Sequence, residues 1–75
     1  MRYKMEMLIL KTGINSDTDF KKVSLNLYNT FKIEECTIDL DGSDKVLRVV
    51  GDHLNMDDVI NKVKDLGFYC EDLAC

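Results

Sequence analysis

The sequence predicts an α+β fold whose elements follow the order βαββαβ. Three observations predict it: two-residue alternation of apolar side chains in the strands, two apolar stripes at helical spacing, and a turn-forming segment between the second and third strands. In this ferredoxin-like arrangement the four-stranded antiparallel sheet has the order 4-1-3-2, and both helices cover one of its faces. A chain of 75 residues supports one core, so we expect residues 1–75 to form a single domain.

The first strand and the first helix are predicted from local composition and spacing. Met5 to Lys11 is rich in apolar residues and lacks turn formers, which indicates a strand. Ser16 to Asn29 is predicted to be a helix, and Ser16 with Asp19 three residues later fits a capping pair at its start. The apolar stripe of this helix consists of Phe20, Val23 and Leu27.

A β-hairpin is predicted next. The segment from Asp41 to Asp44 has the composition of a turn, and Val46 to Val50 is the predicted return strand. In the incoming strand, Thr37 and Asp39 alternate with apolar residues that are expected to face the core. These apolar residues are Cys36, Ile38 and Leu40.

The second helix and the last strand complete the predicted sheet. Asn55 and Asp58 form a second capping pair, and Gly67 lies where a helix-ending glycine is expected. The segment from Phe68 to Leu73 is the predicted final strand. The apolar stripe of the second helix consists of Met56, Val59, Ile60 and Val63.

The composition indicates a globular protein and argues against several kinds of partner. Apolar residues make up 45% of the chain, enough for a packed core, and the formal net charge of -4 argues against nucleic acid and anionic membrane surfaces. No apolar run approaches the roughly 20 residues that span a bilayer. The three cysteines lack a Cys-x-x-Cys spacing and indicate reduced thiols, so we expect a cytoplasmic protein.

Several segments together resemble the heavy-metal-associated domain family, which includes small copper chaperones. Gly13-Ile14 follows the first strand as in that family, and residues 33–40 resemble its V-x-x-V-x-V-D-L segment. Near the last strand, Ile60, Val63 and Gly67-Phe68 resemble the family's I-x-x-x-G-[YF] segment. The resemblance covers nearly the whole chain and implies the same ferredoxin-like fold.

The family's metal-binding motif is changed in this sequence. The family carries Gly-Met-x-Cys-x-x-Cys after its first strand, where two thiolates bind a soft metal ion. Ser16 and Asp19 stand at the cysteine positions here. The resemblance therefore implies a heavy-metal-associated-like domain with a degenerate metal-binding motif, for which we expect no bound metal ion and no cofactor.

One form of a divergent metal site would use oxygen ligands at the loop end of the sheet. Such ligands suit Mg²⁺ or Ca²⁺ better than Cu(I). Helix capping and turn formation offer a second explanation for the same residue types. The candidates for either role are Ser16, Asp17, Asp19, Asp41 and Asp44.

The cysteines are predicted to be structural rather than metal-binding. Cys36 and Cys70 fall on strands at opposite edges of the predicted sheet, separated by three strand spacings, or roughly 14 Å, which is too far for shared coordination or a disulfide. Both residues are expected to be small buried apolar side chains. Cys75 is the candidate for an exposed, reactive thiol.

The sheet face opposite the helices carries the candidate interaction surface. If Leu8 and Leu10 face the helices, alternation turns a set of apolar residues outward. These residues are Met7, Ile9, Val46, Val50, Tyr69 and Leu73. They form either a surface for a protein partner or for self-association, or the ordinary apolar share of an uncovered sheet face. Both parities of the first strand are apolar, so its facing stays open at this point.

The function predicted from these features is that of a small, non-enzymatic binding or interaction domain without thiolate metal capture. No nucleophile, base or cofactor constellation is visible; His53 is a loop histidine without a triad pattern. The four glycines are dispersed turn residues rather than a phosphate loop: Gly13, Gly42, Gly51 and Gly67. The alternative is a divergent metal-binding or metal-transport protein that uses Asp or Cys ligands.

Overall fold

The computed structural model describes residues 5–42 and 44–73 of the chain. Its elements follow the predicted order βαββαβ. The strands are β1 (Met5–Thr12), β2 (Ile33–Asp39), β3 (Val46–Asp52) and β4 (Cys70–Asp72), and the helices are α1 (Asp17–Thr30) and α2 (Met56–Asp65). All neighbouring strands pair antiparallel in the order β2-β3-β1-β4, which is the predicted 4-1-3-2 sheet read from its other edge. The predicted fold class is therefore confirmed.

The hydrophobic core lies between one sheet face and the two helices. On β1, Leu8, Leu10 and Thr12 are buried in it, which places Met7 and Ile9 on the open face. The helices contribute the predicted stripes, of which Val23, Leu27, Val59 and Val63 are fully buried. Each such side chain contributes about 1.5–3 kcal/mol when it leaves water, so this packing holds the two layers together.

Two further core residues come from loops, where the sequence patterns gave no signal. Ile14, in the β1–α1 loop, is fully buried, and Leu54, in the β3–α2 loop, is 7% exposed. Both loops are therefore anchored to the core. Neither helix of the described part of the chain is long and apolar enough to cross a membrane.

The helix ends follow the predicted capping pairs. The Ser16 side chain accepts a hydrogen bond from the Asp19 backbone N–H at 3.2 Å, and the Asn55 side chain accepts one from the Asp58 N–H at 3.0 Å. Gly67 lies two residues past the end of α2, and its φ of 97° is in the left-handed region that glycine adopts without strain. Each helix thus begins with a side-chain cap predicted from the sequence.

The last strand is shorter than predicted. Only Cys70–Asp72 is assigned as β4, whereas the composition predicts a strand from Phe68 to Leu73. The Phe68 N–H donates to the Val63 carbonyl at 3.3 Å, and the Gly67 N–H donates to the Lys64 carbonyl at 2.9 Å. Because these bonds complete the end of α2, Phe68 belongs to the helix-terminating turn rather than to the sheet.

The hairpin strands are longer than predicted, and Gly51 lies within the second of them. Strand β2 begins at Ile33 rather than at Cys36, and β3 continues to Asp52. The pairing shifts register between Ile33 and Glu35, which marks a β-bulge or irregularity opposite the end of β3. A Cβ atom on Gly51 would lie 2.3 Å from the Lys32 carbonyl oxygen, so glycine is needed here for close backbone approach rather than for a turn.

Candidate functional site

The β1–α1 loop is held in place by hydrogen bonds around Thr12. The buried Thr12 hydroxyl donates to the Lys45 carbonyl at 2.7 Å and accepts from the Ile14 N–H at 3.3 Å. The Thr12 N–H also lies within hydrogen-bonding distance of the Asp44 and Lys45 carbonyls, at 3.4 and 3.3 Å. These bonds join the loop to the β2–β3 connection, so the two segments share one end of the sheet as expected.

The candidate metal ligands of α1 have local structural partners. The Ser16 Oγ accepts the Asp19 N–H, and Asp17 and Asp19 lie in the first turn, where a carboxylate favours the positive end of the helix dipole. Hydroxyl and carboxylate oxygens are hard ligands, and a soft Cu(I) ion prefers thiolates. This loop therefore presents a donor set that does not fit Cu(I).

Of the candidate acids of the β2–β3 connection, Asp44 has a cation within ion-pairing distance, and Asp41 takes part in a turn through its backbone N–H. The Asp39 carboxylate accepts from the N–H groups of Asp41 and Gly42, at 3.1 and 3.3 Å, which forms a turn closed by its own side chain. The Asp44 carboxylate lies 3.8 Å from the Lys11 Nζ. Within residues 5–42 and 44–73, no three His, Cys, Asp or Glu side chains are grouped so that they could hold a metal ion. The predicted turn residue Ser43 lies outside the described residues.

Cys36 and Cys70 lie on different strands, and their thiols are protonated at neutral pH. Cys36 is half-buried on β2 and Cys70 is buried on β4, so they lie on the two outer strands of the sheet. Both are free thiols, and burial raises the pKa of each thiol from 9.0 to about 11. Raised pKa values keep both thiols protonated near neutral pH, and a protonated thiol is a poor nucleophile and metal ligand. Cys75 lies outside the described residues.

His53 has a neighbour that the sequence patterns did not single out. Its Nδ1 lies 2.6 Å from the Asp52 Oδ1, while 71% of the histidine side chain is exposed. The His53 backbone has a φ of 54°, which is unusual for a residue other than glycine. The contact joins consecutive residues at the end of β3, and we interpret it as a local feature of the β3–α2 loop.

The open sheet face carries an apolar surface, which we call the sheet-face strip. It consists of the six residues named from the sequence: Met7, Ile9, Val46, Val50, Tyr69 and Leu73. Met7 is 58% exposed, Tyr69 54% and Leu73 37%, while the remaining three are half-buried by their neighbours on the sheet. An antiparallel sheet with one face in water usually presents polar side chains on that face. The apolar character of the strip therefore needs an explanation.

A depression of about 460 Å³ lies on this face, and we call it the sheet-face depression. Its lining includes Ile9, Val46 and Leu73 from the strip, together with Arg48 from β3 and Thr37 and Asp39 from β2. Arg48 pairs across the sheet with Ile9 on one side and Thr37 on the other. The guanidinium group therefore rises from a surface that is apolar on its β1 side and polar on its β2 side.

Tyr69 marks one border of the strip, close to the β1–α1 loop. Its hydroxyl donates a hydrogen bond to the Glu71 carboxylate, and this bond raises the pKa of Tyr69 above its usual value. Its carbonyl accepts the Gly13 N–H at 3.1 Å. Tyr69 thus connects the loop end of the sheet to the open face.

Comparisons of the sequence with known proteins find no match, whereas a comparison of the structure does. No model of a known protein family matches the chain, and no curated protein sequence does so either. Among solved structures, the chain is similar to the Ccc2A domain of a yeast copper transporter, whose solution structure was determined in apo and Cu(I)-loaded states. The TM-score is 0.76 at 23% sequence identity, covering 89% of this chain and 93% of that domain. At this identity the likeness shows the shared fold.

Proposed function

We propose that the chain is a small, non-enzymatic binding domain of heavy-metal-associated type that takes up a protein partner on its open sheet face. The observation that carries the proposal is the sheet-face strip, an apolar surface on a sheet face that neither helix covers. Apolar patches bordered by polar residues commonly mark protein-binding sites. The free, protonated thiols of Cys36 and Cys70 fit a reducing compartment such as the cytoplasm.

The copper-related neighbour makes metal transport the function to weigh against this proposal. The ligand positions implied by the family resemblance hold Ser16 and Asp19, whose oxygens are poor ligands for Cu(I). The Ser16 hydroxyl already accepts the Asp19 N–H, as an ordinary helix cap does. Cys36 and Cys70 cannot replace the missing pair, because they lie on opposite edges of the sheet. We therefore propose a domain without thiolate metal capture.

Point variants of the strip test the binding proposal. Met7→Asp places a charge in the strip, and Leu25→Asp is its matched control, because Leu25 is 64% exposed on α1, away from that face. A display library of protein fragments from the source organism is selected on the wild-type chain, and each recovered fragment is then measured against both variants. We expect fragments whose affinity falls at least tenfold with Met7→Asp and stays within twofold with Leu25→Asp. Fragments that lose affinity equally for both variants, or for neither, would contradict the proposal.

Metal titrations test the competing function on the same protein. Native mass spectra are recorded with Cu(I), Zn²⁺ and Ca²⁺, for the wild type and for Ser16→Cys combined with Asp19→Cys. The double variant puts two thiolates at a helix start, where the helix dipole lowers thiol pKa, so it should bind Cu(I) more tightly than the wild type. Tight Cu(I) binding by the wild type that Ser16→Ala abolishes would favour metal transport instead.

A further inference from the structure

We propose that the partner segment presents a carboxylate to Arg48 and apolar side chains to the sheet-face strip around it. This inference rests on the proposed function, because it uses the same open face, and it adds the chemical class of the partner. The partner is a protein segment in which an Asp or Glu is flanked by apolar residues.

Arg48 is available for such a carboxylate. Among the described residues, no ion pair and no hydrogen bond involves its side chain, although the chain contains 14 acidic residues. The other cation of the open face, Lys11, lies 3.8 Å from the Asp44 carboxylate. Of these two cations, only Arg48 therefore stands without a counter-ion within residues 5–42 and 44–73.

Two acids on the same face are already engaged, and a third, Glu35, lies opposite Val50 on that face without an ion pair to Arg48 among the described residues. The Asp39 carboxylate accepts the N–H groups of its own turn, and the Glu71 carboxylate accepts the Tyr69 hydroxyl. Neither lies within ion-pairing distance of the Arg48 guanidinium in the described structure. A carboxylate supplied from outside can therefore approach Arg48 without first displacing one of these.

The surroundings of Arg48 favour a carboxylate joined to apolar groups. A guanidinium binds a carboxylate through two parallel N–H···O bonds, which fixes geometry as well as charge. Ile9, Val46 and Leu73 line the same depression, so a docked segment would cover them and exclude water from the ion pair. Coulomb attraction is stronger where water is excluded, and arginine is one of the residue types that most often serve as anchor residues of interfaces.

A second copy of this chain fits the face less well than such a segment. Each copy has a formal net charge of -4, so two copies repel. The strand register places Asp39 and Glu71 at opposite ends of one row across the sheet. If two copies packed face to face about a two-fold axis parallel to the strands at the sheet centre, Asp39 of each copy would face Glu71 of the other. If the axis ran across the strands at Arg48, the Arg48 guanidinium groups of the two copies would face each other. Like charges facing each other disfavour both packings.

The experiment uses three seven-residue peptide libraries that differ at one position. The central residue is Asp, Asn or Lys, and the flanking positions are randomised among apolar residues. Each library is displayed and selected on the wild-type chain, and the enriched peptides are then measured against Arg48→Gln, Arg48→Glu, Met7→Asp and the control Lys21→Gln. Lys21 is an exposed cation on α1, away from the sheet face. Urea midpoints of all variants establish that they remain folded.

We expect binders from the Asp library that lose roughly tenfold or more in affinity with Arg48→Gln and keep their affinity with Lys21→Gln. Arg48→Glu should shift selection from the Asp library to the Lys library. Peptides that depend on Met7 but come equally from the Asp and Asn libraries, with no effect of Arg48→Gln, would overturn the carboxylate inference and leave the binding face standing. Binders that do not depend on Met7 would overturn both. Dimerisation of the wild type that Met7→Asp abolishes and Arg48→Gln leaves intact would assign the face to a second copy and also overturn the inference.

Discussion

Replacing Gly51 by alanine should strongly destabilise the domain, although the change adds only one methyl group. Gly51 is buried in β3, and a Cβ atom at this position would lie 2.3 Å from the Lys32 carbonyl oxygen, 3.1 Å from the Ile33 Cα and 3.2 Å from a methyl group of Leu54. The first contact is about 1 Å shorter than an ordinary van der Waals contact, and its partner is backbone, which cannot rotate away. The start of β2 must therefore move away from β3.

The size of the effect follows from two contributions. Overpacking of this kind costs about 1–3 kcal/mol, and displacing Lys32 also strains the 3.0 Å hydrogen bond that its carbonyl accepts from the Asp52 N–H, worth about 0.5–1.5 kcal/mol. We expect a loss of about 2–4 kcal/mol in the free energy of unfolding. A domain of this length has roughly 4–11 kcal/mol in total, so Tm should fall by roughly 10–25 °C.

Urea denaturation followed by circular dichroism measures this loss, with Gly13→Ala as the matched control. A Cβ on Gly13 would lie 3.4 Å from the Tyr69 Cβ and 3.7 Å from its backbone nitrogen, which are ordinary contacts. The control should stay within about 1 kcal/mol of the wild type, because no backbone needs to move. A Gly51→Ala protein within about 0.5 kcal/mol of the wild type would refute the close-approach explanation.

Further expectations concern the first loop and the thiols. Ser16→Ala should lower the free energy of unfolding by about 0.5–2 kcal/mol through loss of the cap, and a chelator should leave the wild-type urea midpoint unchanged; a midpoint that chelation lowers would revive the metal site. Thr12→Val should cost about 1–3 kcal/mol because the buried Ile14 N–H loses its acceptor, whereas Thr12→Ser should retain most of the stability in the same urea assay. Since the pKa values of Cys36 and Cys70 are about 11 in the native state against 9.0 for an ordinary thiol, the unfolded chain loses these protons first as pH rises. Stability should therefore fall between about pH 9 and pH 11, and iodoacetamide at pH 8 with peptide mapping should label both thiols rapidly only after urea is added.

Local signals account for the parts of the fold that the sequence predicted well. Both helix starts depend on a side chain three residues before the N–H that it caps, and both apolar stripes depend on spacing within one helix. The order of elements then restricts the sheet topology to few alternatives. Information within a few residues was therefore sufficient for the elements and for their arrangement.

The parts that could not be predicted depend on contacts between distant segments. The facing of β1 is set by which of two apolar rows meets the helices, and its sequence is apolar in both. Ile14 and Leu54 enter the core from loops, where no periodicity marks them. Gly51 resembles a turn glycine in the sequence, and only the fold brings Lys32 against it, although a glycine next to a strand can signal such an approach.

The candidate site, like the fold, has parts that could be predicted from the sequence and parts that could not. Ser16, Asp19 and the acids of the hairpin could be named from the sequence, and their competing structural explanation could be named with them. The strip residues were named on the condition that Leu8 and Leu10 face the helices, and the structure buries both side chains. The use of the strip as an interaction surface stays a prediction. Arg48 was not singled out as a site residue, because its lack of an ion pair within the described residues is a property of the folded surface.

The loop end and the open face of the sheet differ in how far folding explains their residues. At the β1–α1 loop, folding alone explains the residue types: Thr12 bonds Lys45 and Ile14, and Ser16 caps α1. The open face is different. Met7 is exposed there, and Arg48 has no counter-ion among the described residues. Folding alone explains neither residue, because polar residues of other types would suit the water-exposed face of the sheet equally well. Residues that the fold does not require are the ones for which a partner is the more economical explanation. The proposed partner binding therefore has its centre on the sheet face around Arg48 rather than at the β1–α1 loop.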